Sequence, residues 1–309
     1  MKIVAFAGGV GGARLTYGFA QILPPDDFTV VVNTGDDFEH YGLHICPDLD
    51  TVCYTLAGLA SQATGWGRES ETWNAIANAR QVGGPDWFKL GDKDLGTHLE
   101  RTRRLSRGDR LSDITRDFCR AWSIRHQVLP MSDQAVRTIV RTAEQGELPF
   151  QDYFVRLQCQ PTVLGFHFTG IESATPAPGV LQAIRAADAI VICPSNPWVS
   201  IDPILSLTGI QPAIKEKIVV AVSPIIAGKA VKGPVTKMYA ELGITPSAKA
   251  VADHYRPFLK GFVLDIQDKD QVDELMVPAL TTDTLMSSLT KRTVLAKDVL
   301  HFIGRLQPL

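Results

Sequence analysis

The sequence predicts an α/β fold: a Rossmann-like, doubly wound, mostly parallel sheet with a helical insertion. Short, unbroken apolar runs recur at Lys2–Ala7, Thr29–Asn33, Ala189–Cys193, Ile218–Val222 and Gly261–Asp265, the pattern of strands buried on both faces. Helical patterns at Leu15–Leu23, Gly179–Ala187, Ile204–Glu216 and Val235–Leu242 alternate with them. Polar residues gather where the runs end, at Asp36-Asp37, Ser195-Asn196 and Ser223-Pro224, the edge at which open parallel sheets take their ligands.

The first strand, the glycine turn after it, the helix stopped by Pro24-Pro25 and the second strand make one βαβ unit. From Thr51 to Ser123 the character changes. Charge, Trp and helical periodicity rise, with short helices expected at Ser70–Arg80, His98–Leu105 and Leu111–Trp122. The expected division is therefore a nucleotide-binding core over 1–50 and 124–309, interrupted by a helical insertion over 51–123. Segments 127–131, 136–142, 150–157 and 162–169 alternate or run apolar and are expected as hairpins or additions to the sheet.

Bulk properties narrow the function classes. With 309 residues, 45% hydrophobic and 21% charged, the chain can bury a sizeable core. A net charge of −2 argues against nucleic acid or an anionic membrane as partner, so any anionic substrate needs local groups to hold it. Five cysteines at 46, 53, 119, 159 and 193, with no C-x-x-C pair, argue against a disulfide framework or structural zinc. No signal peptide and no apolar run of roughly 18 residues is visible. The expectation is a soluble, cytoplasmic protein.

Chemistry concentrates in a few segments. In Gly8-Gly9-Val10-Gly11-Gly12 the absence of Cβ atoms lets backbone N–H groups close on an anion while the next helix points its N-terminus at it. Arg14 can add a charged contact to phosphate. The spacing ends on Arg14 where a dinucleotide fingerprint wants a third small residue, and no Gly-Lys-Ser/Thr follows, so neither a dinucleotide nor a Walker site fits. Asp36 and Asp37 end the second strand, and Asp48 and Asp50 open the next helix. Carboxylates beside a phosphate loop repel phosphate unless a cation intervenes, which suggests Mg²⁺ at Asp36 and Asp37 and a metal or general-base role for at least one acid of the four, Asp48 being the further metal candidate. The same acids read singly as turn and cap residues. Ser195-Asn196 and Ser223 to Lys229 repeat one design, a polar turn after a buried strand, with Lys229 a phosphate candidate. The segment Asp92-Lys93-Asp94 to His98 mixes both charges ahead of a helix. No H-E-x-x-H or G-x-S-x-G is present, which argues against a zinc protease or an α/β-hydrolase.

Read together, AGGVGGARL, VVNTGDD, ICPDLDTV, KLGDKDLGTH, LPMSD, PSNP and SPIIAGK, in this order between residues 7 and 229, with LTTDTLM at 280–286, resemble the 2-phospho-L-lactate transferase family. The resemblance implies an Mg²⁺-dependent enzyme of coenzyme F-420 biosynthesis. Such an enzyme moves a phospho-three-carbon acid from its guanosine diphosphate conjugate onto the ribityl hydroxyl of the deazaflavin Fo and releases GMP. It also implies a homodimer. By matching motif, Gly8, Gly9, Gly11, Gly12 and Arg14 would line the diphosphate, and Ser195, Asn196, Ser223 and Lys229 the guanosine side. Asp50, Asp92, Lys93 and His98 would face the acceptor, with Asp50 first and Asp48 second as the group that orients or deprotonates its hydroxyl. Relatives often carry Arg at the position of Lys93, and Lys lacks that planar fork. Trp66, Trp73 and Trp87 can stack on the deazaflavin or serve as core. Which three-carbon acid is carried stays open. Two rivals remain: a non-enzymatic nucleotide-sugar-binding regulator of the related gluconeogenesis-factor type, and an NAD-linked oxidoreductase. The segments around Asp48 and Asp92 argue against the first, and the missing small residue against the second.

Overall fold

The computed structural model describes residues 1–231 and 233–307. The chain opens as β1 (Ile3–Ala7), α1 (Gly9–Ala20) and β2 (Phe28–Val32), then a small hairpin of β3 (Phe38–His40) and β4 (Leu43–Ile45). Four helices follow: α2 (Pro47–Leu56), α3 (Asn74–Gln81), α4 (Asp92–Leu105) and α5 (Leu111–Ala121). Next come β5 (Gln127–Pro130), β6 (Arg137–Thr142), β7 (Gly146–Pro149), β8 (Val163–Thr169), α6 (Val180–Ala186) and β9 (Ala189–Ile192). The last third holds α7 (Asp202–Ser206), α8 (Ile210–Lys215), β10 (Ile218–Val222), β11 (Ile225–Ile226), β12 (Lys229–Ala230), α9 (Val235–Glu241), α10 (Ala248–Tyr255), β13 (Gly261–Asp265), β14 (Ala279–Thr282) and α11 (Leu289–Leu306).

The apolar runs form one seven-stranded sheet in the order β14-β13-β10-β9-β1-β2-β5, with every pairing parallel. Alternation along β1 explains its unbroken hydrophobicity. Ile3, Ala5 and Ala7 pack into one core with α1, α2, α5 and α11, whereas Val4 and Phe6 pack into another with α6, α7, α8 and α10. Both faces are dry, so neither tolerates a polar residue. The expected α/β class and parallel order are present. The region between α2 and β5 is helical, as expected.

Several boundaries differ from expectation. The helix expected at Leu15–Leu23 begins at Gly9, so the glycines form its first turn instead of a loop ahead of it. The helix expected at His98–Leu105 starts at Asp92. Ile204–Glu216 is two helices, because Gly209 sits at φ 90° and breaks the run. Segment 150–157 is no strand; Asp152–Arg156 is a wide helical turn. Segments 136–142 and 162–169 do pair, as β6 and β8 of a separate antiparallel sheet that also holds β7. Strand 127–130 joins the main sheet as its parallel edge. No helix among the described residues is long and apolar enough to cross a membrane.

Close approach decides where glycine is required. Gly9 adopts φ 58°, a left-handed conformation that strains other residues. A methyl group on Gly11 would lie 2.1 Å from the Pro194 carbonyl oxygen, so the turn after β9 can press against α1 only because Gly11 has no side chain. Gly11→Ala is expected to destabilise the protein by about 3 kcal/mol or more. Urea unfolding measures this, and a loss within experimental error would show that the two turns are not tightly packed.

Candidate active site

A cleft of about 640 Å³ opens at the carboxyl end of β1, β9 and β10. Its floor is Gly8, Gly9, Val10 and Gly11 at the start of α1. Helix α1 has no side-chain cap and no acidic residue in its first turn, so its free amides and dipole face the cleft. A pair of hydrogen bonds clips this turn in place: Gly8 N–H donates to Ser195 Oγ at 3.1 Å, and Ser195 Oγ donates to the Gly8 carbonyl at 2.7 Å.

The acids divide into two groups. Asp36 and Asp48 line the cleft, and both are buried. Asn33 positions Asp48 by donating Nδ2–H to its Oδ2 at 2.9 Å, and shapes the turn before Asp36 by accepting from Gly35 N–H at 2.8 Å. Asp36 Oδ1 is buried without a partner. Burial, then Asp48 and Asp37 nearby, push the Asp36 carboxyl well above the usual range. Burial and Asp37 raise Asp48 to about 6 against the Asn33 hydrogen bond. Two such carboxyls with no basic partner among the described residues fit a hard divalent cation, which would supply the missing positive charge. Asp37, expected with them, turns away. Its Oδ2 accepts from Cys46 Sγ at 3.0 Å and lies 3.3 Å from His44 Nε2, and it does not line the cleft.

Asp50 belongs to the second group. Both its oxygens accept from Arg101, a guanidinium buried to 1% exposure. Burial alone would lower the Arg101 pKa, but Asp50 outweighs it and keeps the group charged. His98 continues the network, with Nδ1 3.7 Å from Asp50 and Nε2 3.3 Å from Asp94. Tyr54 OH donates to Asp94 at 2.7 Å. Asp50, Asp94, His98 and Tyr54 all line the cleft. Beyond them the wall turns aromatic, with Trp66, Trp87, Phe88 and the stacked pair Phe150–Phe154, whose centroids are 5.4 Å apart. Lys89 stands among these rings.

Some expected residues have other duties. Asp92 accepts from Thr72 Oγ1, Asn74 N–H and Nδ2–H, and Ala75 N–H, so it ties the approach to α3 onto α4 and does not line the cleft. Lys93 donates to the Glu69 carbonyl, also outside the cleft, whereas Lys89 lines it. Lys229 is exposed on the β11–β12 hairpin, away from the lining. Gly12 lies beneath the floor, where a Cβ would meet Ala7 and Ser195. Trp73 is likewise not on the wall. Ser195, Asn196, Ser223 and Arg14 do line it. Asn196 Oδ1 accepts from Trp198 N–H, and Ser223 Oγ donates to the Ile225 carbonyl, so these side chains mainly hold their own turns. Arg101, Tyr54, Asp94, Lys89 and the Phe150–Phe154 pair escaped the sequence reading. The partners of Arg101 and Tyr54 lie tens of residues away, and only Lys89 and Asp94 sat inside a noticed motif.

The raised carboxyls make a pH prediction for the metal-free protein. Unfolded Asp ionises near pH ~4, while folded Asp48 holds its proton to about 6 and Asp36 shares the same direction. Unfolding therefore releases protons across this window, and stability falls as pH rises through it. Asp36→Asn should raise stability at pH ~7.5 by about 1–3 kcal/mol and change little at pH ~4. Thermal melts of both proteins in EDTA check this; an Asp36→Asn midpoint below the wild type's at pH ~7.5 would refute the charge-burial account.

Known proteins were compared with this geometry in hand. Residues 3–290 match a family model described as 2-phospho-L-lactate transferase CofD. A phosphoenolpyruvate transferase from Kitasatospora aureofaciens is 45% identical over 312 residues, covering 96% of this chain and 97% of that protein. A 2-phospho-L-lactate transferase from Methanosarcina mazei is 39% identical over 304 residues, covering 97% and 99%. In fold the chain is similar to a crystal structure of a upf0052 family member from Bacillus halodurans, with TM-score 0.61 and 17% identity across 91% of this chain and 92% of that one. Matches of this extent account for the series of sequence segments and for the cleft they build: the chain belongs to the 2-phospho-L-lactate transferase CofD family of transferases.

Proposed function

We propose that the protein transfers a phosphoenolpyruvyl group from its guanosine diphosphate conjugate to the ribityl hydroxyl of the deazaflavin Fo, releasing GMP, in coenzyme F-420 biosynthesis. One observation carries the reading. A single cleft joins a helix N-terminus suited to phosphate, a pair of unneutralised carboxyls and an aromatic wall suited to a flat heterocycle. The name of the 45%-identical relative favours phosphoenolpyruvate over phospholactate as the acid carried.

The first-turn amides of α1 hold the diphosphate where its bond must break. Asp36 and Asp48 are the side chains that would hold Mg²⁺, which supplies charge neutralisation at the diphosphate. Asp50 accepts the hydrogen bond of the attacking hydroxyl and aims it in line. Burial raises the Asp50 carboxyl above its usual range and Arg101 opposes that shift while fixing both oxygens, so orientation is what Asp50 contributes. Lys89 and the aromatic wall receive the deazaflavin, with Trp66 and Trp87 offering ring faces.

Incubation with Fo, Mg²⁺ and the phosphoenolpyruvyl or phospholactyl conjugate in competition tests the reading. Fo-dependent GMP release and a deazaflavin product carrying the phosphoenolpyruvyl mass are expected, and GMP release indifferent to Fo would defeat it. Asp50→Asn should lower kcat by about 10²–10³-fold while GDP affinity is retained. It should also cost about 3–5 kcal/mol of stability, because Arg101 stays buried without its carboxylate, so the assay belongs well below the variant's melting temperature. Equal losses of turnover and GDP binding would remove Asp50 from the acceptor side.

A further inference from the structure

Helix α1 lies between two neighbours. Helix α2 packs against it on the β2 side and brings the acids, while α11, set over β10, β13 and β14, packs against its other flank. The second contact is intimate: a methyl on Gly18 would lie 2.1 Å from the Arg292 carbonyl. Arg292 stands in the first turn of α11, only 7% exposed, with its guanidinium 5.5 Å from the centre of the Tyr17 ring. Arg14, from α1, lies close enough that its charge, together with the larger effect of burial, lowers the Arg292 pKa. Among the described residues neither arginine forms an ion pair, and the Nε of each is buried without a hydrogen-bond partner. Arg101 differs in its ion pair: its Nε is likewise without a hydrogen-bond partner, but its two terminal nitrogens donate to both oxygens of Asp50.

Two neighbouring guanidiniums with no carboxylate between them repel and forgo hydration, an arrangement that an oxyanion bound between the two forks relieves. Arg14 lines the cleft just past the glycine turn, and Thr284 and Met286, on the segment leading into α11, line it as well, with Arg292 behind them against Tyr17 and outside the lining. The carboxylates occupy the opposite flank. We propose that Arg14 and Arg292 together bind a phosphate oxyanion of the guanine nucleotide, on the leaving-group side of the cleft. The assignment of the nucleotide rests on the donor proposed above. The cleft is thereby polarised: the acids and the acceptor on the α2 flank, the arginines and the departing nucleotide on the α11 flank. A positive charge there stabilises the phosphate as the bond to the transferred group breaks. The pair suits a phosphate better than the three-carbon acid's carboxylate, because Arg14 rises from the helix whose amides face the diphosphate.

Calorimetric titration of the full-length protein in EDTA with GMP, guanosine, inorganic phosphate and the complete three-carbon conjugate tests this. Arg292→Met should weaken GMP by about tenfold or more and leave guanosine unchanged, with Arg292→Lys recovering part of the loss. Arg14→Met, which leaves the α1–α11 contact intact, should reproduce the effect if Arg292→Met folds poorly. GMP affinity unchanged in both methionine variants overturns the proposal. So does a loss confined to the complete three-carbon conjugate, which would place the acid's carboxylate between the arginines. If the wild-type protein binds no guanine nucleotide, the donor reading fails separately. Inorganic phosphate then decides: phosphate binding lost in Arg292→Met upholds the anion site, and its persistence or absence overturns it.

Discussion

Asp36 and Asp48 are buried side by side at the carboxyl end of a parallel sheet, with neither in an ion pair among the described residues. Burying a carboxylate is expensive, and burying two together more so. Much of the local architecture follows from holding them there. Asn33 spends both amide hydrogens on Asp48 and the Val199 carbonyl, joining the turn after β2 to α2 and to the turn after β9. Gly8 and Gly9 leave room for the Asp48 oxygens, which a side chain on Gly8 would meet at 2.7 Å. Such a site trades stability for a preformed demand for positive charge.

A neighbouring carboxylate obeys a different rule. Asp50 lies two positions along α2 from Asp48, yet both its oxygens accept from Arg101, whose charge opposes the burial that raises its carboxyl. One helical turn thus carries an acid awaiting a cation and another already saturated. Their chemical roles diverge accordingly, the first suited to a metal and the second to a fixed hydrogen-bond acceptor.

The fold was readable because a parallel sheet imposes unbroken apolar runs, and β1, β2, β9, β10 and β13 each show one. Strand β14 was not readable: Ala279–Thr282 is four residues at the sheet edge with two threonines, too short to declare a period. Helix α11 carries a helical spacing at Leu295, Ala296, Val299, Phe302 and Ile303, but it holds no chemical motif to draw attention. In the site, the glycine turn and the acids at 36, 48 and 50 were legible because their spacing is local. Arg101, Lys89 and Arg292 were not, since a basic residue on a helix or in the chain between two helices looks solvated until the fold shows what surrounds it. The polar turns at 195–196 and 223 were legible as positions on the wall but not as roles, because whether a serine faces a ligand or closes its own turn depends on a few tenths of an ångström.

The Ser195–Gly8 clip spans 187 residues of chain, and β1 lies between β2 on one edge and β9 on the other. During synthesis the phosphate turn emerges first, but its anchor is among the later segments to appear. Until residues beyond 188 leave the ribosome, β1 presents a bare apolar edge and the start of α1, though it can meet α2, lacks the turn after β9. The nascent N-terminal half is therefore the stage most exposed to mispairing. Binding competence arrives only when the second half of the sheet docks, so the cell meets this protein either complete or without its site.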